Sequence, residues 1–286
     1  MLPPLKPCAS GSHFSYSARA NCWAHSKIRF VIRPVRLNRL SFIVLAICFA
    51  CTCAKSVAKS PASVHPTRVV GYLASWGVRS KGTRIADLPV KDLTHIFYAF
   101  AKIGNDSRVT LSDPCVDVGA CDSPPTVGSG GNFAELERLK LRNPYLKLVI
   151  SIGGWTGSRK FSDAALTDAS RRLFSESAID VFIRQRPGLF DGIDIDWEFP
   201  VAGGMEGNVE RPADKENFTL LLGELRRQFD AQGAIDHRHY ELTIAASARP
   251  QEIANVEIAR VEPLLDFINV MTYDYHSGPG TTAPTT

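Results

Sequence analysis

Residues Phe190 to Pro200 read FDGIDIDWEFP. Asp194, Asp196 and Glu198 stand two apart, with Ile193, Ile195 and Trp197 in the places between them. Side chains alternate faces along a β-strand, so this spacing predicts three carboxylates on one face and a bulky apolar set on the other. Carboxylates at i and i+2 of a strand lie about 6.5–7 Å apart, near enough to oppose one another's ionisation. Repulsion together with burial raises the pKa of at least one of them. A carboxyl that keeps its proton near neutrality is what general acid catalysis requires. Two blander readings compete. A calcium loop of the D-x-D-x-D kind needs a glycine at its sixth position and polar spacers, whereas these spacers are Ile, Ile and Trp. A solvated strand face has no reason to alternate acids with core residues of that size. The pattern points to catalysis.

On either side of this stretch, strands alternate with helices. Val69–Trp76 (VVGYLASW), Thr94–Ala101 (THIFYAFA), Leu146–Ile152, Glu241–Ala246 (ELTIAA) and Phe267–Tyr273 (FINVMTY) read as further strands. Helices are predicted at Asn132–Leu141, at about 168–185 with Phe174, Ala178, Val181 and Phe182 on one face, and at Asn217–Asp230. The last carries Phe218, Leu221, Leu222, Leu225 and Phe229 at core-stripe spacing. A long loop is expected between the second strand and the first of these helices. Strand after strand followed by helix is the pattern of an α/β (β/α)₈ TIM barrel. Only about six β/α units can be counted. A closed barrel has eight and typically takes about 250 residues, whereas 59–286 supplies 228. The expectation is a barrel incomplete at its C-terminus, with sheet edges left unpaired. Active sites of such barrels sit at the C-terminal ends of the strands. There the sequence places Trp76, Gly153–Trp155, Glu198 and Met271–Asp274.

The formal charge is +4, from 33 Lys and Arg against 29 Asp and Glu. Eight of those bases (Lys6, Arg19, Lys27, Arg29, Arg33, Arg36, Arg39 and Lys55) lie within residues 1–58, which hold no acid. Thus 33 less 8 leaves 25 bases against 29 acids in 59–286, a net of −4. That balance gives no footing for nucleic-acid binding. Leu40–Ala54 is an unbroken run of apolar and small residues behind Arg33, Arg36 and Arg39. It falls short of the roughly 20 residues of a membrane span but has the length of a signal-peptide core, and Ser56-Val57-Ala58 offers small residues for cleavage. Residues 1–58 are therefore expected to be a signal peptide with a long basic n-region, 59–66 a linker, and 67–286 the catalytic barrel. The mature protein would be secreted, extracellular or periplasmic, with no membrane segment once the leader is removed. An uncleaved leader would instead tether it. Five of the seven cysteines lie in the leader; Cys115 and Cys121 remain, in PCVDVGACD. In an exported chain they predict a small local disulfide, and two cysteines alone are too few for a metal site.

DGIDIDWEFP also resembles the D-G-x-D-x-D-x-E signature of glycoside hydrolase family 18, the chitinases and related endoglycosidases, and the SIGGW and MTYD stretches at 151–155 and 271–274 stand in that family's order. The resemblance implies that Glu198 donates a proton to the glycosidic oxygen, that Asp196 orients the substrate's 2-acetamido group, and that Asp194 holds and tunes Asp196. It places Tyr273 on the acetamido carbonyl, with Met271 and Asp274 lining the floor. In this family the substrate's own acetamide is the nucleophile. A carbonyl oxygen tethered within one sugar has a high effective molarity, so no protein carboxylate attacks and the anomeric configuration is retained. Neither a metal nor an organic cofactor is implied. The implied partner is chitin or N-acetylglucosamine oligosaccharides. Sugar rings pack their C–H faces on flat apolar surfaces; Tyr72, Trp76, Phe100 and Trp155 are placed to supply them, at positions similar to sugar contacts in the family's bacterial chitinases.

Each assignment has a plainer counterpart. Tyr273, Tyr72 and Phe100 could be core residues of strands, and Ser151, Gly153 and Gly154 could serve backbone packing at a strand end. His95 reads as a satisfied core histidine, while His237, His239 and His276 are too scattered for a metal site. The expected function is hydrolysis of β-1,4-linked N-acetylglucosamine polymers. The alternatives are an inactive truncated fragment, a chitin-binding chitinase-like protein, and an endo-β-N-acetylglucosaminidase acting on N-glycans. Binding-only relatives usually lose the acid at the Glu198 position, which is present here.

Overall fold

The acid stretch is a central strand of one sheet. In the computed structural model, which describes residues 67–80, 82–121 and 130–274, the strands are β1 Val70–Ala74, β2 His95–Ile103, β3 Val109–Leu111, β4 Lys147–Gly153, β5 Gly192–Asp196, β6 Glu241–Ser247 and β7 Phe267–Met271. Their order is β1-β2-β4-β5-β6-β7 with every neighbouring pair parallel, and β3 folds back antiparallel on β2. Helices α1 Gly131–Arg142, α2 Asp168–Ile179 and α3 Asp214–Asp236 lead into β4, β5 and β6. The edge strands β1 and β7 nevertheless meet across the sheet. Asn269 Nδ2 donates to the Tyr72 hydroxyl at 3.3 Å, and the Arg68 guanidinium lies 4.8 Å from the centre of the Phe267 ring. The sheet is therefore curled, as part of a (β/α)₈ barrel. The expected leader and linker, residues 1–66, lie outside the described residues.

The alternation of β5 divides its residues between two environments. Ile193 and Ile195 are fully buried in the apolar layer beneath the helices, with Leu148, Ile150, Leu242 and Ile244 from the flanking strands. Trp197 joins them, stacked on Phe161 at 5.2 Å and edge-on to Phe218 at 5.3 Å. Asp194 and Asp196 take the opposite face, toward the barrel interior. There Asp194 stands in register with Ser151 of β4 and Thr243 of β6.

Several boundaries differ from the sequence expectation. β1 ends at Ala74, so Trp76 does not end a strand but sits in the short helix Ser75–Ser80. β5 ends at Asp196, which places Glu198 two residues beyond the ladder, and β7 ends at Met271, short of Tyr273. The helix expected over 168–185 is α-helical only to Ile179 and continues as a π-helical turn, Asp180–Arg184. α3 runs past its apolar stripe at both ends, through 214–216 and through 231–236. The long loop after β2 contains β3 and a helix, Pro114–Val118, whose first turn is capped by the Asp113 carboxylate.

At the N-terminal ends of the strands, Asp191 is 3% exposed and accepts hydrogen bonds from Lys140 Nζ at 2.6 Å and from the Leu148 amide at 2.8 Å, with Arg238 as a further partner. Removing one member of a buried charge network strands the others. Asp191→Ala should thus lower stability by about 3–5 kcal/mol, read as a fall in the urea midpoint. An unchanged midpoint would mean that the cluster does not clasp β4 to β5.

Candidate active site

Three hydroxyls converge on Asp194. Thr243 Oγ1 donates to its Oδ1 at 2.6 Å, while Ser151 Oγ at 2.8 Å and Tyr72 Oη at 3.2 Å donate to Oδ2. The carboxyl is fully buried, and burial raises its pKa despite these hydrogen bonds, which act in the opposite sense. Asp196 is treated differently. It is 5% exposed, and its Oδ1 is buried without a hydrogen-bond partner. Burial first, then the charges of Asp194 and Glu198, push it up to about 8. Of the two aspartates, Asp196 is thus the one with hydrogen-bonding capacity left for a ligand.

Glu198 is half-buried, and burial followed by the charge of Asp274 pushes it up to about 7. Its peptide bond to Phe199 is cis, as is Ala99–Phe100. The strand ends come close together here because of glycine. A Cβ on Gly153, whose φ is +113°, would lie 2.2 Å from the Asp196 carbonyl oxygen, and the Gly154 amide donates to that same oxygen at 2.9 Å. No side chain fits that approach.

Tyr72 and Tyr273 stand beside the carboxylates, and the Phe100 ring lies against Gly154. Trp76, Trp155 and Tyr273 are about half exposed or more, and the Trp76 and Phe100 rings lie 6.1 Å apart. Phe100 is half-buried. Asp196 and Glu198 lie near enough to Tyr273 for their charges, after burial, to raise its phenol pKa. Asp274 has φ +55°, and its carbonyl accepts from Arg249 Nη2 at 3.1 Å. Met271, half-buried, pairs with Ser247 in the β6–β7 register. Tyr72 does more than offer a ring face: its hydroxyl binds Asp194, and burial and that carboxylate raise the phenol pKa. Trp155 follows Gly154 on an exposed turn, and no contact places it against the other aromatics.

Cys115 and Cys121 are joined in a disulfide with Cα atoms 4.5 Å apart. The loop it closes holds Asp117, 1% exposed, which accepts from Tyr98 Oη at 2.6 Å. Asn132 Nδ2 in turn donates to Tyr98 Oη at 2.9 Å and to the Ser75 carbonyl at 3.2 Å, beside Trp76. His95 is buried between Thr94 and Glu241. Among the described residues no group of three or more His, Cys, Asp or Glu side chains could hold a metal ion; His276 lies outside them. A separate cleft of about 440 Å³ is lined by Val78, Arg84, Glu135, Arg138 and Arg142 among others, and none of the acids of the β5 stretch lines it.

Sequence reasoning missed Thr243, Asn269, Ser158 and Asn208. It also left Ser151 to backbone packing, whereas its hydroxyl holds Asp194. The available signal was a polar residue inside each apolar strand, in KLVISIG, ELTIAAS and FINVM. Only the register shows that they face one carboxylate.

Residues 68–286 match the family model described as Glycosyl hydrolases family 18. Chitinase A1 of Niallia circulans is 40% identical over 256 residues, covering 77% of this chain and 36% of that protein. Among solved structures, chitinase ChiA74 from Bacillus thuringiensis superposes with a TM-score of 0.69 at 36% identity, covering 75% of this chain and 40% of that one. Catalytic domain 2 of the Ostrinia furnacalis Group II chitinase, solved as a mutant in complex with a chitooligosaccharide, gives a TM-score of 0.61 at 29% identity over 73% of this chain and 51% of that one. The chain spans well under two thirds of each of these relatives.

Proposed function

Because the chain belongs to glycosyl hydrolase family 18, we propose that it hydrolyses β-1,4-linked N-acetylglucosamine polymers with Glu198 as proton donor. The observation that carries this is the carboxyl pair at the end of β5: Glu198 pushed up to about 7 beside Asp196 pushed up to about 8, with a buried Asp196 oxygen lacking a partner. A carboxyl near 7 holds a proton at neutral pH and releases it readily, the compromise that general acid catalysis favours. Asp196 would bind and orient the 2-acetamido group, while Asp194, held by three hydroxyls, would tune Asp196 through its charge. The acetamide oxygen then attacks the anomeric carbon as Glu198 protonates the departing oxygen, and water opens the intermediate with retention. Tyr273 would hydrogen-bond the acetamido carbonyl. Trp76, Phe100, Trp155 and Tyr72 would offer ring faces to sugars, and Met271 and Asp274 would line the floor. No step in this scheme calls on a metal or an organic cofactor.

The test is turnover of a fluorogenic chitobioside by the full chain beside a cellobioside of the same leaving group. Cleavage of the first alone is expected, because only that substrate carries its own nucleophile. Equal cleavage of both would remove the acetamide from the mechanism. Asp274 supplies a second check. Its negative charge favours the protonated form of Glu198, so Asp274→Asn should lower the Glu198 pKa and move the alkaline limb of kcat/KM to lower pH. A limb that stays in place, or rises, contradicts the coupling. Export belongs to the same proposal, with residues 1–58 as the leader. Mass spectrometry of the exported protein should find an N-terminus near Lys59, and an intact leader would refute cleavage.

A further inference from the structure

Glu198 lies beyond the end of β5, so the strand ladder no longer holds its backbone. The β4–β5 register stops at Gly153 opposite Asp196. Two side chains take over from it. The Glu198 amide donates to Ser158 Oγ at 2.8 Å, and the Glu198 carbonyl accepts from Asn208 Nδ2 at 3.0 Å. Ser158 is 1% exposed and opens the 3₁₀ turn Ser158–Lys160 that follows β4. Its single hydroxyl proton lies between two carbonyls, Gly154 at 2.9 Å and Asp196 at 3.2 Å. One hydroxyl thus touches the backbone of Glu198, the backbone of Asp196 and the glycine turn after β4. Asn208 reaches Glu198 only because position 204 is glycine: a Cβ there would lie 2.3 Å from the Glu198 carbonyl oxygen and 2.5 Å from Asn208 Nδ2.

We propose that Ser158, with Asn208 on the other side, is a positioning residue that sets the place of the Glu198 carboxyl relative to Asp196. This rests on the proposed role of Glu198 and extends it to side chains that never touch the substrate. A ladder hydrogen bond would have fixed the backbone of a residue within the strand. A residue past the strand end reaches further into the barrel mouth, and the Ser158–Asn208 clamp restores the lost constraint. Without it the stretch after β5 is free to move outward, and Glu198 gains water. Asp196 stays in the β4–β5 register opposite Gly153, and Asp274 keeps its hydrogen bond from Arg249.

The test uses the full chain labelled with ¹³C at glutamate carboxyls, the Glu198 signal being assigned by its loss in Glu198→Gln. Burial is the first cause of the raised Glu198 pKa, so Ser158→Ala should let Glu198 titrate about one pH unit or more lower. Ser158→Thr, which keeps the hydroxyl, should restore the original midpoint. Asn208→Ala should shift it in the same direction as Ser158→Ala, and serves should that variant fail to fold. A Glu198 midpoint unchanged in both alanine variants would overturn the inference. Kinetics give a second readout. Ser158→Ala should reduce kcat by about tenfold or more on an unactivated chitooligosaccharide, and far less on a dinitrophenyl glycoside, whose leaving group needs little protonation. Equal losses on the two substrates would mean a general structural defect. Full turnover by Glu198→Gln would instead remove the proton-donor role, while the carboxyl titration still decides what Ser158 does.

Discussion

Glu198→Gln should reduce turnover of chitooligosaccharides by on the order of 10²–10⁴-fold while leaving their binding nearly intact. General acid assistance contributes rate of that size, and Gln keeps the shape and most of the volume of Glu without a transferable proton. Burial and the Asp274 charge have raised the Glu198 carboxyl to about 7, so the unmodified protein should lose kcat/KM as pH rises through that value. The variant should lose this limb along with its turnover. Two measurements check the point: kcat by reducing-end assay across pH, and Kd by calorimetry. A variant that turns over at the normal rate, or one that fails to bind, would take the proton donor away from Glu198.

Asp196→Asn should reduce kcat by on the order of 10²–10³-fold, the size of effect seen when a preorganised electrostatic partner of a transition state is removed. Its effect on stability should have the opposite sign at high pH. Asp196 rises from 3.8 to about 8 on folding, so between those values the folded protein binds more protons than the unfolded chain. Stability attributable to this group is full below about 4 and falls as pH climbs toward 8. Asparagine does not titrate. The variant should therefore gain, relative to the unmodified protein, on the order of 1 kcal/mol at pH 8–9, seen as a higher urea midpoint, with little gain at pH 4–5. A variant less stable at pH 9 than the unmodified protein would mean that Asp196 is a structural acid. Higher stability joined to lower activity marks a residue kept at the expense of the fold.

The two-residue period of FDGIDIDWEFP was sufficient to separate the faces of β5, because both faces are buried in chemically different surroundings. Ile193, Ile195 and Trp197 meet the helices, and the acids meet the barrel interior. The alternation of strands and helices likewise carried the architecture, since each apolar run had room for one element only. Strand ends were read less well. Ala74-Ser75-Trp76 has no breaker, yet the chain turns helical there, with Ser75 buried and its carbonyl accepting from Asn132. The helix at Pro114–Val118 was hidden in a polar loop, where its cap, Asp113, and its buried acid, Asp117, look like ordinary loop residues. Within the site the acids were legible as residue types in and just after β5. Their supports were not. Thr243, Asn269 and Ser151 are single polar residues whose meaning depends on register across strands, and Ser158 and Asn208 act through hydrogen bonds to backbone atoms, which no side-chain pattern announces.

The most direct test follows the first product of chitooligosaccharide cleavage by proton NMR, with the full chain and Glu198→Gln run in parallel. Acetamide participation with Glu198 as acid predicts that the β-anomer appears first in the unmodified protein and mutarotates to α, with almost no product from the variant. An α-anomer appearing first, or equal product from both proteins, would contradict substrate-assisted hydrolysis at the end of β5.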